Sequence, residues 1–185
     1  MIDVEEGLRD VELRGERLAG ADLAKLQATS AVLVDCDLSA VMLAEADLWR
    51  VELRGCRMSG VALDGARLRD VKIIGCKLDT ASLRSVQAER VVFDDCVLRD
   101  ADLSKSRWKD TSFLGCDLDG AVVVEADLRG TRVHRSTIER VIGADSLCGI
   151  VISPDQALNL GLRVLDALGI TSEDEDEGGA DEDGG

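Results

Sequence analysis

Six cysteines and one histidine are the residues whose types could do chemistry. Cys36, Cys56, Cys76, Cys96 and Cys116 follow one another at intervals of 20 residues. Thiolates at a fixed interval could hold a metal, form disulfides or pass electrons. His134 is the sole histidine. No serine, cysteine or lysine is arranged around it as a nucleophile with its base. No glycine-rich phosphate loop or metal-ligand spacing occurs either. These absences predict a chain that is not an enzyme and uses no cofactor or metal.

The element that must position the cysteines shows itself in a shorter period. From Leu8 to Ile138 every fifth residue is apolar, through 27 consecutive positions without a slip. Two residues earlier stands a small or compact residue, as in Ala21, Ala31, Cys36, Val41 and Ala46. A helix would spread a five-residue period around its surface, and a strand would alternate it between faces. A chain that turns a corner every five residues keeps it on one side. The 20-residue cysteine interval then means four sides per coil, and Phe93 and Phe113 share that interval. About seven coils at ~4.8 Å give a rod roughly 32 Å long. Like other solenoids it pairs coil on coil, and its two end edges must be covered.

That geometry decides the cysteine chemistry. Stacked Cβ vectors ~4.8 Å apart exceed the ~3.5–4.5 Å a disulfide uses. Two sulfurs bound to one zinc at ~2.3 Å would lie under ~4 Å apart, closer than the stack allows without distortion. The series is expected to be a buried column of compact thiols. Trp108 sits at a core position one coil from Ala88, a large residue beside a small one.

Composition and charge narrow the function. The aromatic fraction of 2 % calls for a narrow aliphatic core. No apolar run approaches the ~18 residues of a membrane span. Met1 to Asp10 do not resemble a secretory leader, so free thiols and a cytoplasmic location are expected. Residues 171–185 hold eight acids and no base, and subtracting them from the net charge of −15 leaves −7 for residues 1–170. This tail is expected to be disordered and dispensable for folding. The mildly acidic body argues against direct nucleic-acid binding.

Three regions are candidate contact surfaces. Val32, Val34, Ile74, Val92 and Leu114 are apolar at outward positions of one side, and Val122 and Val124 on the opposite side. They read equally as a partner surface and as ordinary β-propensity. Trp49 also faces outward. The third region follows Ser153-Pro154-Asp155-Gln156, a helix start with a capping box. Leu158, Leu162 and Leu165 line one face of this helix, Ala157, Leu160, Val164 and Leu168 an adjacent one, and Gly169 ends it. The arc is too wide for a lone surface helix, so a twofold homodimer with Leu158, Leu162 and Leu165 at the seam is expected. The organisation is thus a repeat domain over 1–152, a capping and dimerisation helix over 153–170 and a tail over 171–185.

The units Ala21-Asp22-Leu23, Ala46-Asp47-Leu48, Ala101-Asp102-Leu103 and Ala126-Asp127-Leu128 resemble the A(D/N)LXX motif of pentapeptide repeat proteins. The resemblance spans residues 6–142. It implies an all-β fold, a right-handed quadrilateral β-helix. The stretch Ser146-Leu147-Cys148-Gly149, then Ile152 and Asp155-Gln156-Ala157, is similar to the ending of the gyrase-protecting proteins of the Mfp and Qnr types. That likeness implies a dimer that mimics a DNA duplex, binds DNA gyrase or another topoisomerase and relieves quinolone inhibition. The repeat has no inserted loop and is nearer the Mfp type. The alternative is a scaffold for an unnamed protein partner. Against mimicry, Arg50 and Arg90 interleave with Asp10, Asp70 and Asp110 in one column, and Arg57 adjoins Lys77 in another.

Overall fold

In a computed structural model the chain is a four-sided parallel β-solenoid of about seven turns, closed at one end by a short helix. The structure describes residues 6–167, 169 and 170. The tail, Leu168 and the first five residues lie outside it, so the expectations for the tail are not addressed by the fold.

Each side of the coil is one pentapeptide. The first side carries a six-stranded parallel sheet running from Leu8–Arg9 through Gln27–Thr29, Asp47–Trp49, Arg67–Arg69 and Gln87–Glu89 to Arg107–Lys109. The second carries an eight-stranded sheet from Glu12–Arg14 to Arg132–His134, ended by Val151–Ile152. The third and fourth sides pair through single bridges, such as Arg17 to Asp37 and Asp22 to Met42. The register is one full coil: Phe93 lies against Ile73 on one side and Phe113 on the other.

The corners explain the period. From Asp10 to Arg135 the last residue of nearly every pentapeptide has positive φ, 53° at Ala40 and 57° at Glu45, for example. The left-handed region turns the chain sharply, and a non-glycine residue there is strained. Corners after the third and fourth sides are closed by backbone bonds such as Ala21 N–H to Leu18 O, 2.9 Å. The aspartate of the A-D-L unit has its own role there. Asp22, Asp102 and Asp127 each accept the N–H two residues on, at 3.1, 2.9 and 3.4 Å. This is the Asx turn that favours Asp and Asn before a bend.

Inside, the five-residue series and its smaller companions form one continuous core. The carboxyl half is filled by aromatics. Phe93 stacks on Phe113 with centroids 4.8 Å apart, and Trp108 meets both edge-on at 5.8 and 5.6 Å. The indole N–H of Trp108 donates to Ser106 Oγ at 2.6 Å, and that hydroxyl donates to Leu103 O. Ser106 occupies an inward small-residue position, so the buried indole is satisfied without widening the coil.

The repeat ends on a step. Val122 pairs with Ile142 after 20 residues, whereas Arg132 and Val133 pair with Val151 and Ile152 after only 19. A 3₁₀ turn at Ala144–Leu147, entered through Gly143 at φ 89°, takes up the missing residue. As a result Leu147 packs against the core and Cys148 is exposed. A second 3₁₀ turn, Pro154–Gln156, leads into the helix Ala157–Ala167. The helix closes with Gly169 at φ 70° and Ile170 N–H bonded to Leu165 O at 2.8 Å, the six-to-one bond of a Schellman ending.

Candidate functional site

The structure brings the five cysteines together in one column, all buried. Their thiols are occupied. Cys96 Sγ donates toward Ile73 O and Asp94 O at 3.2 and 3.3 Å, and Cys56 N–H donates to Cys76 Sγ at 3.3 Å. Burial pushes the Cys36 thiol up. Cys76 and Cys116 are pushed up first by the sulfur of the neighbouring coil and then by burial. A second thiolate in such a stack would face both a like charge and an apolar surrounding. All five are free thiols, and among the described residues no group of three or more His, Cys, Asp or Glu is placed to hold a metal ion. Ser136, one coil beyond Cys116, continues the column. It receives Cys116 N–H at 3.0 Å and donates to Phe113 O or His134 O at 3.2 and 3.1 Å. The sequence reading passed over Ser136, although its number carries the same interval.

Val32, Val34, Ile74, Val92 and Leu114 all fall on the eight-stranded side and all are half-buried. The register sets Val92 in the rung between those of Ile74 and Leu114. Val92 stands in the neighbouring column, and Asp94 stands directly between Ile74 and Leu114, while Val32 and Val34 lie apart near the amino end. Val122 and Val124 lie on the fourth side, the latter exposed.

At the carboxyl end, Leu158, Leu162 and Leu165 are 73 %, 57 % and 42 % exposed. The helix is held to the rod by Gln156, a residue the sequence reading used only as half of a capping box. Its Oε1 accepts Arg135 N–H at 3.0 Å and Ser153 N–H at 3.3 Å, while its Nε2 donates to Ser136 O at 2.6 Å. One side chain therefore caps the helix and ties it to the last coil.

Charge is sorted by side. On the outward positions of the six-stranded side stand Arg9, Arg67, Arg69, Arg107, Lys109 and Arg129, against Asp47, Glu89 and Asp127. The third side mixes signs, with Asp37, Arg57 and Lys77 in successive rungs. Ion pairs cross the coils: Arg90 grips Asp70 through two bonds of 2.6 and 2.9 Å, and Arg140 grips Asp119. These partners hold the Asp70 and Asp119 carboxyls below their ordinary range. Arg129 does the same to Asp127, down to about 2. Trp49 lies under the Arg50 guanidinium at 4.2 Å.

A rod of stacked four-sided coils with flat, ion-paired sides defines a class of parallel β-solenoids. The model of the pentapeptide repeats matches in eight copies, including residues 21–60, 31–70 and 96–135, and the chain belongs to the pentapeptide repeat family. No curated relative matches the sequence. Among solved structures it is similar to a trypsin-treated QnrB1, a plasmid-mediated fluoroquinolone resistance protein. That match has 15 % identity and a TM-score of 0.45, and covers 91 % of this chain and all of the other. It is also similar to HetL, a pentapeptide repeat protein involved in heterocyst differentiation in the cyanobacterium Nostoc sp. strain PCC 7120. Here identity is 23 %, TM-score 0.29, and 73 % of each chain is covered. No described helix is long and apolar enough to cross a membrane.

Proposed function

We propose that the protein is a non-enzymatic, twofold-dimeric rod that binds a protein partner on its flat sides. The observation that carries this reading is the grouping of Ile74, Val92 and Leu114 in three successive rungs. These apolar residues surround Asp94, which pairs with both Ile74 and Leu114, with Lys72 in the rung of Ile74 and Arg132 one rung past Leu114. Apolar side chains interspersed with a few charged ones on a flat sheet suit a protein interface. The exposed leucines of the helix supply the dimer seam, since each leucine buried against a partner copy contributes roughly 1.5–3 kcal/mol.

DNA gyrase is the first partner to test, because the carboxyl-terminal stretch is similar to that of the gyrase-protecting members. The manner of binding need not be duplex mimicry. A mimic requires a continuous negative stripe, about one charge per ~1.7 Å of axis. The described sides instead carry both signs, and one is basic. The deciding experiment is a supercoiling assay over a concentration series, with gyrase from the native host, with and without a quinolone. Val92→Glu is run in parallel. Inhibition or drug protection by the wild type, lost in the variant, supports binding through the patch. An equal effect from the variant points to another side, and no effect from either rejects gyrase as the partner.

A further inference from the structure

The acidic chain carries one basic side, and that side is shaped. In the six-stranded sheet, Arg67 and Arg69 form one rung, Gln87 and Glu89 the next, and Arg107 and Lys109 the third. The long cationic side chains rise on either side of the shorter middle rung. They enclose a trough of about 350 Å³ with Trp49 at its amino end. Glu89 is bonded to Arg90 at 2.5 Å and is also shared by Arg69 at 3.6 Å and Lys109 at 3.7 Å. Arg67 and Arg107, which flank Gln87, have no carboxylate within 4 Å among the described residues. Four cations thus meet two acids in the trough, Asp47 and Glu89, and two of the cations are left over.

We propose that this trough is the docking site of the chain's own acidic segment, residues 171–185. Three observations select that occupant. The segment holds Glu173, Asp174, Glu175, Asp176 and Glu177 in an unbroken run and no base, so its charge complements the trough. It follows directly on the helix at the carboxyl end of the rod, the end nearer the Arg107 rung. Its 15 residues span up to ~50 Å when extended, whereas the Arg67 rung lies about four coils, ~20 Å, from that end. Tethering supplies an effective concentration in the millimolar range, so even a weak, salt-screened attraction keeps the trough filled. A docked tail neutralises the one basic side and bars other polyanions from it.

Carbodiimide cross-linking of the full chain at low salt, followed by peptide mapping, tests this. Lys109 is the trough's amine, while Lys25, Lys72 and Lys77 stand elsewhere on the rod. The expected result is tail carboxylates joined to Lys109 at least fivefold above those three lysines. The yield should not depend on protein concentration and should collapse in 1 M salt. Arg67→Glu with Arg107→Glu, both at exposed positions, should bring Lys109 down to the level of the controls without shifting the melting curve. Neutralising the run from Glu173 to Glu177 with Gln and Asn should do the same. Equal yields at all lysines overturn the proposal. So does a yield that rises with concentration, which would place a second copy's tail in the trough. Binding of a duplex oligonucleotide by the wild-type chain, with no Lys109 cross-link, would make the trough a nucleic-acid site and likewise refute it.

Discussion

Replacing Gln156 by Ala should undock the helix while leaving the rod intact. The side chain is 9 % exposed, and its removal orphans Arg135 N–H and Ser136 O, for which no other partner exists among the described residues. A buried polar group left unpaired costs about 1–3 kcal/mol. Since 1.4 kcal/mol is tenfold, the opening constant of the end should rise roughly 5- to 150-fold. In a solenoid each coil touches only its neighbours, so the damage should stay local. Native-state hydrogen exchange reads this directly. The amides of Arg135 and of Val151, which donates to Thr131 O at 2.8 Å, should exchange faster by that factor. Val92, bonded to Val71 O at 3.0 Å in the middle of the rod, should not change. Gln156→Glu separates the two roles of the side chain. At neutral pH its carboxylate confronts the Ser136 carbonyl, so the end opens at least as readily. In acid the protonated group donates again and protection returns. Uniform acceleration along the rod, or none at Arg135, would refute the reasoning.

Other outcomes follow from the same geometry. A thiol reagent should modify exposed Cys148 quickly and the five column cysteines only on unfolding; rapid labelling of all six in the folded chain would contradict the column. Leu162→Glu with Leu165→Glu should give a folded monomer by light scattering where the wild type runs as a dimer. A wild type that is already monomeric at micromolar concentration would remove the seam. Asp127, held at about 2 by Arg129 against an ordinary 3.8, favours the folded state above its unfolded titration range. That contribution should fade as the pH falls from about 4 toward about 2. Arg129→Gln should raise the Asp127 carboxyl part of the way toward the ordinary range when followed by carbon NMR, because the backbone N–H of residue 129 still donates to it.

The fold was readable because a solenoid writes its geometry into the numbering. Leu8 to Ile138 marked the sides, and the cysteines marked the coil. What escaped lies where contacts no longer repeat. The step between Ile142 and Val151 removes one residue, and nothing periodic announces a deletion that a 3₁₀ turn absorbs. The tertiary bonds of Gln156 to Arg135 and Ser136 depend on where the helix lands, which its capping signature does not specify. The basic side was legible in principle. Arg67 and Arg107 share one column and Arg69, Lys109 and Arg129 another, at multiples of 20, but a net charge of −15, about half of it in the tail, masks a local basic side. The five outward apolar residues fall on the eight-stranded side, and the register groups Ile74, Val92 and Leu114 in successive rungs around Asp94, a placement that depends on pairing between coils.

The return of 20 residues in every regular coil, against 19 in the last, makes the rod a device whose length and phase vary separately. Duplicating a 20-residue unit upstream of Gly143 would move the two ends apart by ~4.8 Å and leave every side facing as before. Inserting a single pentapeptide would leave the core pattern intact yet swing the cap by a quarter turn relative to the amino end. In a twofold assembly built on that cap, such an insertion would aim a different side of each arm at the same partner. Growth by whole coils changes reach, and growth by fractions of a coil changes which surface is presented.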